Sequence, residues 1–327
     1  ALAAAGPERM VHLVDRDALA VDYTRRNAAQ NGLSNLSAYG SLGYDDVTER
    51  GFDLILSNIP GKAGRPAITT FLLDARHMLR PGGVAAVVVV PPLAQIVAEL
   101  LEQPGIEMLL RENGSEHVVF HYRFPDAGSS NAGNAFAQGV YDRGKMTAAY
   151  RGLRFDMQTV RGVPEFDSLS HQSQLLFAAL EKIGGAKKRI RRALVFNPGQ
   201  GHVAVALWKR LFPEELTLVD RDLLSLRAAE RNLLGNGCPV QASAGLHLAG
   251  LPHNGEAAFD LIVGILREGE GPQAHYALMQ QAANLLNTEG ELLVAASSTT
   301  ITRLDKQIKQ GKLFTIRQRK RNRAKRL

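Results

Sequence analysis

Three short stretches of this 327-residue chain carry side chains arranged for chemistry. The first is Asp15, which ends an apolar run over residues 10–14. A carboxylate at a strand tip can accept both hydroxyls of a ribose. The second is Asn58-Ile59-Pro60-Gly61, which ends the run Phe52-Asp53-Leu54-Ile55-Leu56-Ser57. The Asn58 side-chain oxygen and the Ile59 carbonyl make two acceptors on a proline-stiffened turn. Two acceptors suit a planar exocyclic amine, and would aim its nitrogen at an electrophilic methyl group. Asn-x-Pro is also ordinary turn chemistry. The third stretch is Asn197-Pro198-Gly199-Gln200-Gly201, followed by Asp220. Glycines there let the backbone approach a ligand, and the next helix offers free N–H groups. Gly199-x-Gly201-x-x-Ala204 also passes as a dinucleotide fingerprint.

The elements that must position these residues occur twice. Leu13-Val14-Asp15-Arg16-Asp17 returns as Leu218-Val219-Asp220-Arg221-Asp222, an offset of 205. Arg26-Asn27 and Asn31-Gly32 return as Arg231-Asn232 and Asn236-Gly237. Phe52-Asp53-Leu54-Ile55 returns as Phe259-Asp260-Leu261-Ile262, the offset now 207. A repeat at this distance means two copies of one domain. In the first copy, periodicity predicts strands over residues 10–14, 52–57 and 84–90, and helices over 18–30, 68–79 and 94–103. A closing antiparallel pair is expected over 107–110 and 118–122. In the second copy, strands are expected over 193–196, 216–219, 259–264 and 291–296, and helices over 168–183, 202–211, 223–234 and 274–286. A second closing pair is expected over 312–317 and 323–327. Strands alternating with helices imply a mainly parallel sheet covered on both faces. The expected class is α/β: two tandem Rossmann-like domains, each with an antiparallel closing hairpin. The domains are expected over residues 1–126 and 145–327, joined by a Gly- and Ser-rich linker over 127–144.

Composition narrows the function. A hydrophobic content of 45% with 22% charged residues reads as a soluble globular chain. No apolar stretch is long enough to span a bilayer, and no basic-flanked apolar leader opens the chain. The single cysteine, Cys238, excludes an internal disulfide and suits a cytoplasmic location. The histidines have no metal-ligand spacing, so no metal is expected. Net charge is +7, and residues 312–327 hold eight Lys or Arg and no acid. Such a patch favours phosphate backbones, although a basic hairpin edge that is merely solvated would look the same.

Taken together, Leu-Val-Asp-Arg-Asp, Arg-Asn-x-x-x-Asn-Gly, Phe-Asp-Leu-Ile-Leu-Ser-Asn-Ile-Pro-Gly and Leu-Arg-Pro-Gly-Gly resemble class I S-adenosylmethionine-dependent methyltransferases. Within that class the chain is similar to the small-methyltransferase family, including the tandem-domain guanine-N2 methyltransferases of ribosomal RNA. The resemblance covers nearly the whole chain, including Phe166-Asp167-Ser168-Leu169-Ser170-His171. It implies S-adenosylmethionine as cofactor, held by Asp15, Arg16, Ser41 and Asn58. It implies catalysis by Asn58, Ile59, Pro60 and Gly61. In the second copy Asn197, Gly199, Gly201 and Asp220 take the cofactor-binding places. RNA is the implied partner, met by Lys62, Arg317, Arg319, Lys320 and Arg321.

Three departures from the family pattern bear on these roles. Ile59 replaces a proline, and Gly61 replaces an aromatic residue whose stacking on a base is worth roughly 1–3 kcal/mol. The second copy carries Gly264-Ile265-Leu266-Arg267 where the first carries Asn58 to Gly61, so its acceptor Asn is gone. The Asn motif survives in the N-terminal copy, whereas the family's tandem members use the C-terminal one. Chemistry is therefore expected in the first domain, which has Asp15 but no glycine loop ahead of it; that loop is expected upstream of Ala1. Two other readings stand beside this one. One is a non-catalytic RNA-binding or assembly protein with two decayed domains. The other is an NAD-dependent oxidoreductase resting on Gly199, Gly201, Ala204 and Asp220.

Overall fold

The computed structural model describes residues 1–59, 61–127, 133–184, 189–245, 248 and 259–319. The chain divides into two compact units, one of Ala1–Arg16 with Val21–Arg143, the other of Gly144–Leu327 with Asp17–Ala20.

The first unit opens with α1 (Leu2–Ala5), β1 (Val11–Asp15), α2 (Ala18–Gln30) and β2 (Leu36–Gly40). Gly32, just past α2, takes φ 64, the left-handed turn that ends a helix cheaply. β1 and β2 run parallel, with Asp15 opposite Gly40. Then follow β3 (Phe52–Asn58), a 3-10 turn at Gly61–Ala63, α3 (Arg65–Met78), β4 (Leu79–Val89), α4 (Pro91–Leu101), β5 (Glu107–Asn113) and β6 (Val118–Arg123). These four strands form a sheet in the order β3-β4-β6-β5. β3 and β4 are parallel, and β6 is antiparallel to both β4 and β5. Proline in the first turn starts both α3 and α4, where its missing N–H costs nothing. One face of the sheet is packed. Ala85, Val87 and Val89 are buried against Ile68 and Leu72 of α3 and Val97 and Leu101 of α4. The buried Tyr122 hydroxyl donates to the Leu72 carbonyl at 2.9 Å, tying β6 to α3.

The second unit is entered through β7 (Asp142–Tyr150) and β8 (Leu153–Val160), a paired ribbon. Their turn, Arg151-Gly152, has φ 46 and 78, the two positive values a tight hairpin requires. Next come α5 (His171–Gly184), β9 (Arg192–Phe196), α6 (His202–Leu211), β10 (Glu215–Asp220), α7 (Leu223–Gly235) and β11 (Gln241–Ala244). β12 (Phe259–Ile265), α8 (Pro272–Leu285), β13 (Leu286–Ala295) and α9 (Ser298–Gly311) follow. The sheet is parallel, in the order β11-β10-β9-β12-β13. Ala193, Val195, Leu218, Leu261 and Val263 face α5 and α6, while Leu194, Phe196, Val219 and Ile262 form a second cluster on the other side.

Sequence periodicity marks neither β2, β11 nor α9. The Thr-rich start of α9 disguises it, but Ser297 caps it by accepting the Thr300 N–H. Residues 312–317, expected as a strand of a closing hairpin, form no strand. Lys312 takes φ 50 and ends α9, and Leu313 and Phe314 turn back onto the second cluster, so packing replaces pairing. Residues 323–327 lie outside the described residues. An antiparallel closing hairpin is thus present as β5 and β6 in the first unit and absent among the described residues of the second.

Candidate active site

Asp15 closes β1, half-buried, and its carbonyl accepts the Ser41 N–H at 3.1 Å. The chain leaving β2 is thereby held against the tip of β1. Arg16 follows and is exposed. Ser41 is buried; its hydroxyl donates to the Gly43 carbonyl at 2.8 Å and accepts the Asp46 N–H at 3.1 Å. Its hydroxyl therefore closes the loop beside Asp15. The Asp45 carboxylate accepts the Ala135 and Phe136 N–H groups at 2.7 and 3.0 Å, which fastens the same loop to the end of the unit.

Asn58 ends β3, one strand-length after Phe52. The Ile59 N–H donates to the Val88 carbonyl at 3.0 Å, and the Ile59 side chain is buried in the core. Residues one apart in a strand point to opposite faces, so anchoring Ile59 leaves Asn58 exposed. Among the described residues no hydrogen bond holds the Asn58 amide. Pro60 lies outside the described residues. A Cβ on Gly61 would sit 3.6 Å from Leu93 Cδ1, an ordinary contact, so crowding does not dictate glycine there. The backbone of Lys62 lies in the 3-10 turn, and its side chain lies outside the description.

The second unit shows how such parts meet. Asn197 takes φ 48, and its side-chain amide donates to the Ile265 carbonyl at 2.9 Å, tying the tip of β9 to that of β12. Gly201 takes φ 96, and a Cβ there would lie 2.9 Å from Ala229 Cα. Close approach of α6 to α7 requires that glycine. Gly199, at φ 57, faces open space. Gln200 is buried and accepts the Val160 N–H while donating to the Val160 and Val163 carbonyls. This turn is thus a structural clamp with one open glycine.

Asp220 ends β10, fully buried. Its Oδ1 accepts the Asp222 N–H at 2.7 Å and a hydrogen bond from the Arg267 guanidinium. Its Oδ2 has no partner among the described residues. Burial pushes the Asp220 carboxyl up to about 6, and the Arg267 charge opposes the rise. Arg267 itself is fixed from behind, because His275 Nε2 donates to its carbonyl at 2.9 Å.

The backbone register corrects one alignment. The Leu266 N–H donates to the Ala295 carbonyl at 2.9 Å, as the Ile59 N–H does to Val88. Ile265, not Gly264, therefore stands at the Asn58 position, and Arg267 stands where the first unit has Pro60. The second copy still lacks the acceptor Asn. Periodicity and motif spacing assign Arg267 no role. Its signal was an arginine in a turn position held by proline in the sister copy. It shows that a side chain from the turn after β12 reaches the carboxylate on β10.

The basic terminus is partly spoken for. Arg317 pairs with Glu291 at 3.1 Å and Glu289 at 3.9 Å, and Arg319 pairs with Asp305 at 2.5 Å. Lys320 and Arg321 lie outside the described residues. Among the described residues no group of His, Cys, Asp or Glu is placed to hold a metal ion, and no helix is long and apolar enough to cross a membrane.

The methyltransferase small domain profile matches residues 1–105 and 155–319, most of the chain and both copies. The chain belongs to the methyltransferase small domain family. That membership sets aside the oxidoreductase reading of Gly199, Gly201 and Asp220. A curated relative, the uncharacterized protein YbxB of Bacillus subtilis (strain 168), is 31% identical over 98 residues, which are 29% of this chain. The match covers 49% of that protein, so the chain spans about half the length of this relative. Among solved structures, the T. thermophilus 16S rRNA N2 G1207 methyltransferase (RsmC), in complex with AdoMet and guanosine, aligns with a TM-score of 0.64 at 20% identity. The alignment covers 90% of this chain and 76% of that one. At that identity the likeness is one of fold: both units of this family member are Rossmann-like α/β halves.

Proposed function

We propose that this methyltransferase uses S-adenosylmethionine in its first unit to methylate an exocyclic amine, and that the amine is guanine N2 of ribosomal RNA in the cytoplasm. The observation that carries the reading is Asn58: exposed at a strand tip, its side-chain amide in no hydrogen bond among the described residues, while its neighbour Ile59 is locked into the core. Support comes from the sister copy, where Arg267 spans from the corresponding turn to the strand-tip carboxylate. The cofactor brings a methyl group made electrophilic by a sulfonium. Asp15 suits its ribose, with the Ser41–Asp46 loop beside it. Asn58 Oδ1 and the Ile59 carbonyl accept the two amine hydrogens and point the nitrogen lone pair at the methyl carbon. Their oxygen dipoles would stabilise the positive charge that grows on that nitrogen as the C–N bond forms and the C–S bond breaks; the cofactor would leave as a neutral thioether and the surplus amine proton would pass to water. Such transfer needs alignment more than acid–base help.

The second unit fits the cofactor less well. Arg267 already occupies Asp220 Oδ1, leaving one acceptor oxygen, and Ile265 offers no amide. We assign this unit to orienting RNA, in keeping with the net charge of +7. The T. thermophilus protein, which by its name acts on 16S rRNA, supports the choice of substrate. The deciding experiment incubates the chain with S-adenosylmethionine and ribosomal RNA, then digests the RNA and weighs its nucleosides. N2-methylguanosine that disappears with Asn58→Ala is the expected result. Cofactor binding lost in Asp220→Ala and kept in Asp15→Ala would move the site to the second unit. Absence of binding in any form would leave the non-catalytic RNA-binding reading.

A further inference from the structure

The second unit carries a basic run that the cofactor motifs leave aside. Residues 182–192 hold six Lys or Arg and no acid. Of these, Arg189, Arg191 and Arg192 stand where β9 begins, at the amino edge of the parallel sheet. Arg189 pairs with Glu214 at 2.6 Å and Arg192 with Glu215 at 2.9 Å. The two pairs hold the entry to β9 against the chain that joins α6 to β10. This edge lies away from the cofactor motifs. Asn197 and Asp220 stand at the other end of β9 and β10, one strand length or about 17 Å away.

At the same edge a cleft of about 460 Å³ opens between the turn Arg151-Gly152 and the ends of α5 and α6. Arg151, Lys209 and Arg210 line it against one acid, Glu181. Arg151 pairs with Glu181 at 3.3 Å, but both side chains are open to water, so the pair is weakly held. Arg210 Nη2 donates to the Arg151 carbonyl at 3.2 Å, and its Nε is buried without a partner among the described residues. Lys209 has no ion pair among the described residues. The helix dipole accounts for cations at the end of α6. It does not account for Phe212, two residues past Arg210. Phe212 caps α6 at φ 44 and ψ 55, a left-handed turn where glycine is the usual residue. A Cβ strains that turn, and a residue before proline, here Pro213, is pushed towards extended backbone. Burial returns little, because the ring is 68% exposed. It meets Trp208 edge to face at 6.0 Å.

A strained, exposed phenyl ring beside a cationic cleft has the makings of a site for single-stranded nucleic acid. Backbone phosphates meet the charges in such a site, and a base stacks on the ring. We propose that the amino edge of the second unit binds a single-stranded segment of the substrate RNA. Arg151, Lys209 and Arg210 take phosphate oxygens in the cleft, Glu181 gives up Arg151 in exchange, and Phe212 stacks one base. The inference rests on RNA as the partner proposed above. It is independent of which unit transfers the methyl group.

Trp208 is the chain's single tryptophan, so its fluorescence reports on the Phe212 ring. The full chain is titrated with a short single-stranded RNA and, separately, with inorganic triphosphate. RNA is expected to quench Trp208; triphosphate, which has no base, is expected to leave the emission unchanged. RNA that binds without altering Trp208, or triphosphate that quenches it equally, overturns the proposal. Filter binding then compares variants. Phe212→Leu keeps an apolar cover for Trp208 and loses the ring face, and its affinity is expected to fall about tenfold. Phe212→Gly also suits the left-handed turn and is expected to bind as weakly as Phe212→Leu. Lys209→Gln is expected to lower the salt slope by about 1, the mark of one phosphate contact. Parent affinity in both Phe212 variants, or an unchanged slope in Lys209→Gln, overturns the proposal. The methylation assay separates this site from the proposed chemistry. Phe212→Leu is expected to raise the KM for RNA about tenfold at unchanged kcat. N2-methylguanosine formed at the parent KM counts against the site and leaves the chemistry standing. RNA binding that depends on Phe212 and Lys209, with no methylated product, counts against the chemistry and leaves the site standing.

Discussion

Asn58 tests whether the turn after β3 positions a substrate or merely ends a strand. Replacing it with Ala removes one of the two proposed acceptors without touching Asp15 or the core. Turnover is expected to fall about 100-fold, the usual cost of losing alignment, while cofactor affinity falls far less, because Asp15, Arg16 and Ser41 remain. Single-turnover kinetics beside equilibrium dialysis reads both, and a parallel loss of cofactor binding would count against the amine-holding role. Asp220 tests a different residue-scale claim. Its carboxyl is raised to about 6 by burial. An unfolded Asp releases its proton near pH 4, roughly two units lower. Between those values the folded chain keeps a proton that the unfolded chain has lost. Stability therefore falls as pH rises from about 4 to 6, by an amount on the order of 2–3 kcal/mol, and levels off above. Denaturant midpoints across that range are expected to lose this slope in Asp220→Asn. In Arg267→Met the counter-charge is gone, so the Asp220 titration followed by carbon NMR is expected to move higher still.

Among the elements, the junction of α6 and α7 is the most demanding. Gly201 combines φ 96 with an approach of 2.9 Å between its would-be Cβ and Ala229 Cα. Gly201→Ala must strain the backbone and push the helices apart, and is expected to cost about 2–4 kcal/mol. Gly199→Ala meets no atoms, so its cost is limited to the strained φ, about 1 kcal/mol. Urea denaturation of the two variants is expected to rank them in that order. The segment after α9 belongs to this scale too. Arg317 and Arg319 are already paired with Glu289, Glu291 and Asp305. An arginine that gave a full phosphate contact would lower the salt slope of RNA binding by about 1 when removed. Arg317→Ala is expected to lower it by less than half of that, measured by filter binding from 50 to 200 mM salt.

For the whole molecule, the two units have separate cores and unequal cover. The second encloses its sheet on both faces, with clusters around Val195 and around Phe196. The first packs one face and leaves Leu54 and Leu56 exposed. Cooperative unfolding follows enclosed cores. Calorimetry is expected to show two transitions, the first unit melting earlier. Limited proteolysis below the second transition is expected to leave a fragment beginning close to residue 144.

Much of this was legible in the chain itself. The repeat of Leu-Val-Asp-Arg-Asp and Phe-Asp-Leu-Ile gave the two copies, because buried strands of a parallel sheet are nearly continuous apolar runs. Glycine at 199 and 201 marked the turn ahead of a helix, because glycine acts through local backbone sterics. Asp15 and Asn58 stood out for the same reason, each following a strand whose length was set by apolar content. What the sequence left open depends on which groups meet in space. Whether residues 312–317 pair as a strand or turn back onto a core was decided by the cluster beneath Leu313 and Phe314. That Arg267 grips Asp220, and that Leu13 and Leu56 stand open where Leu218 and Val263 are sealed, follows from contacts made across the sheet between residues distant in the chain. Burial and pairing are properties of neighbours, and a strand's own residues do not name the neighbours it will have.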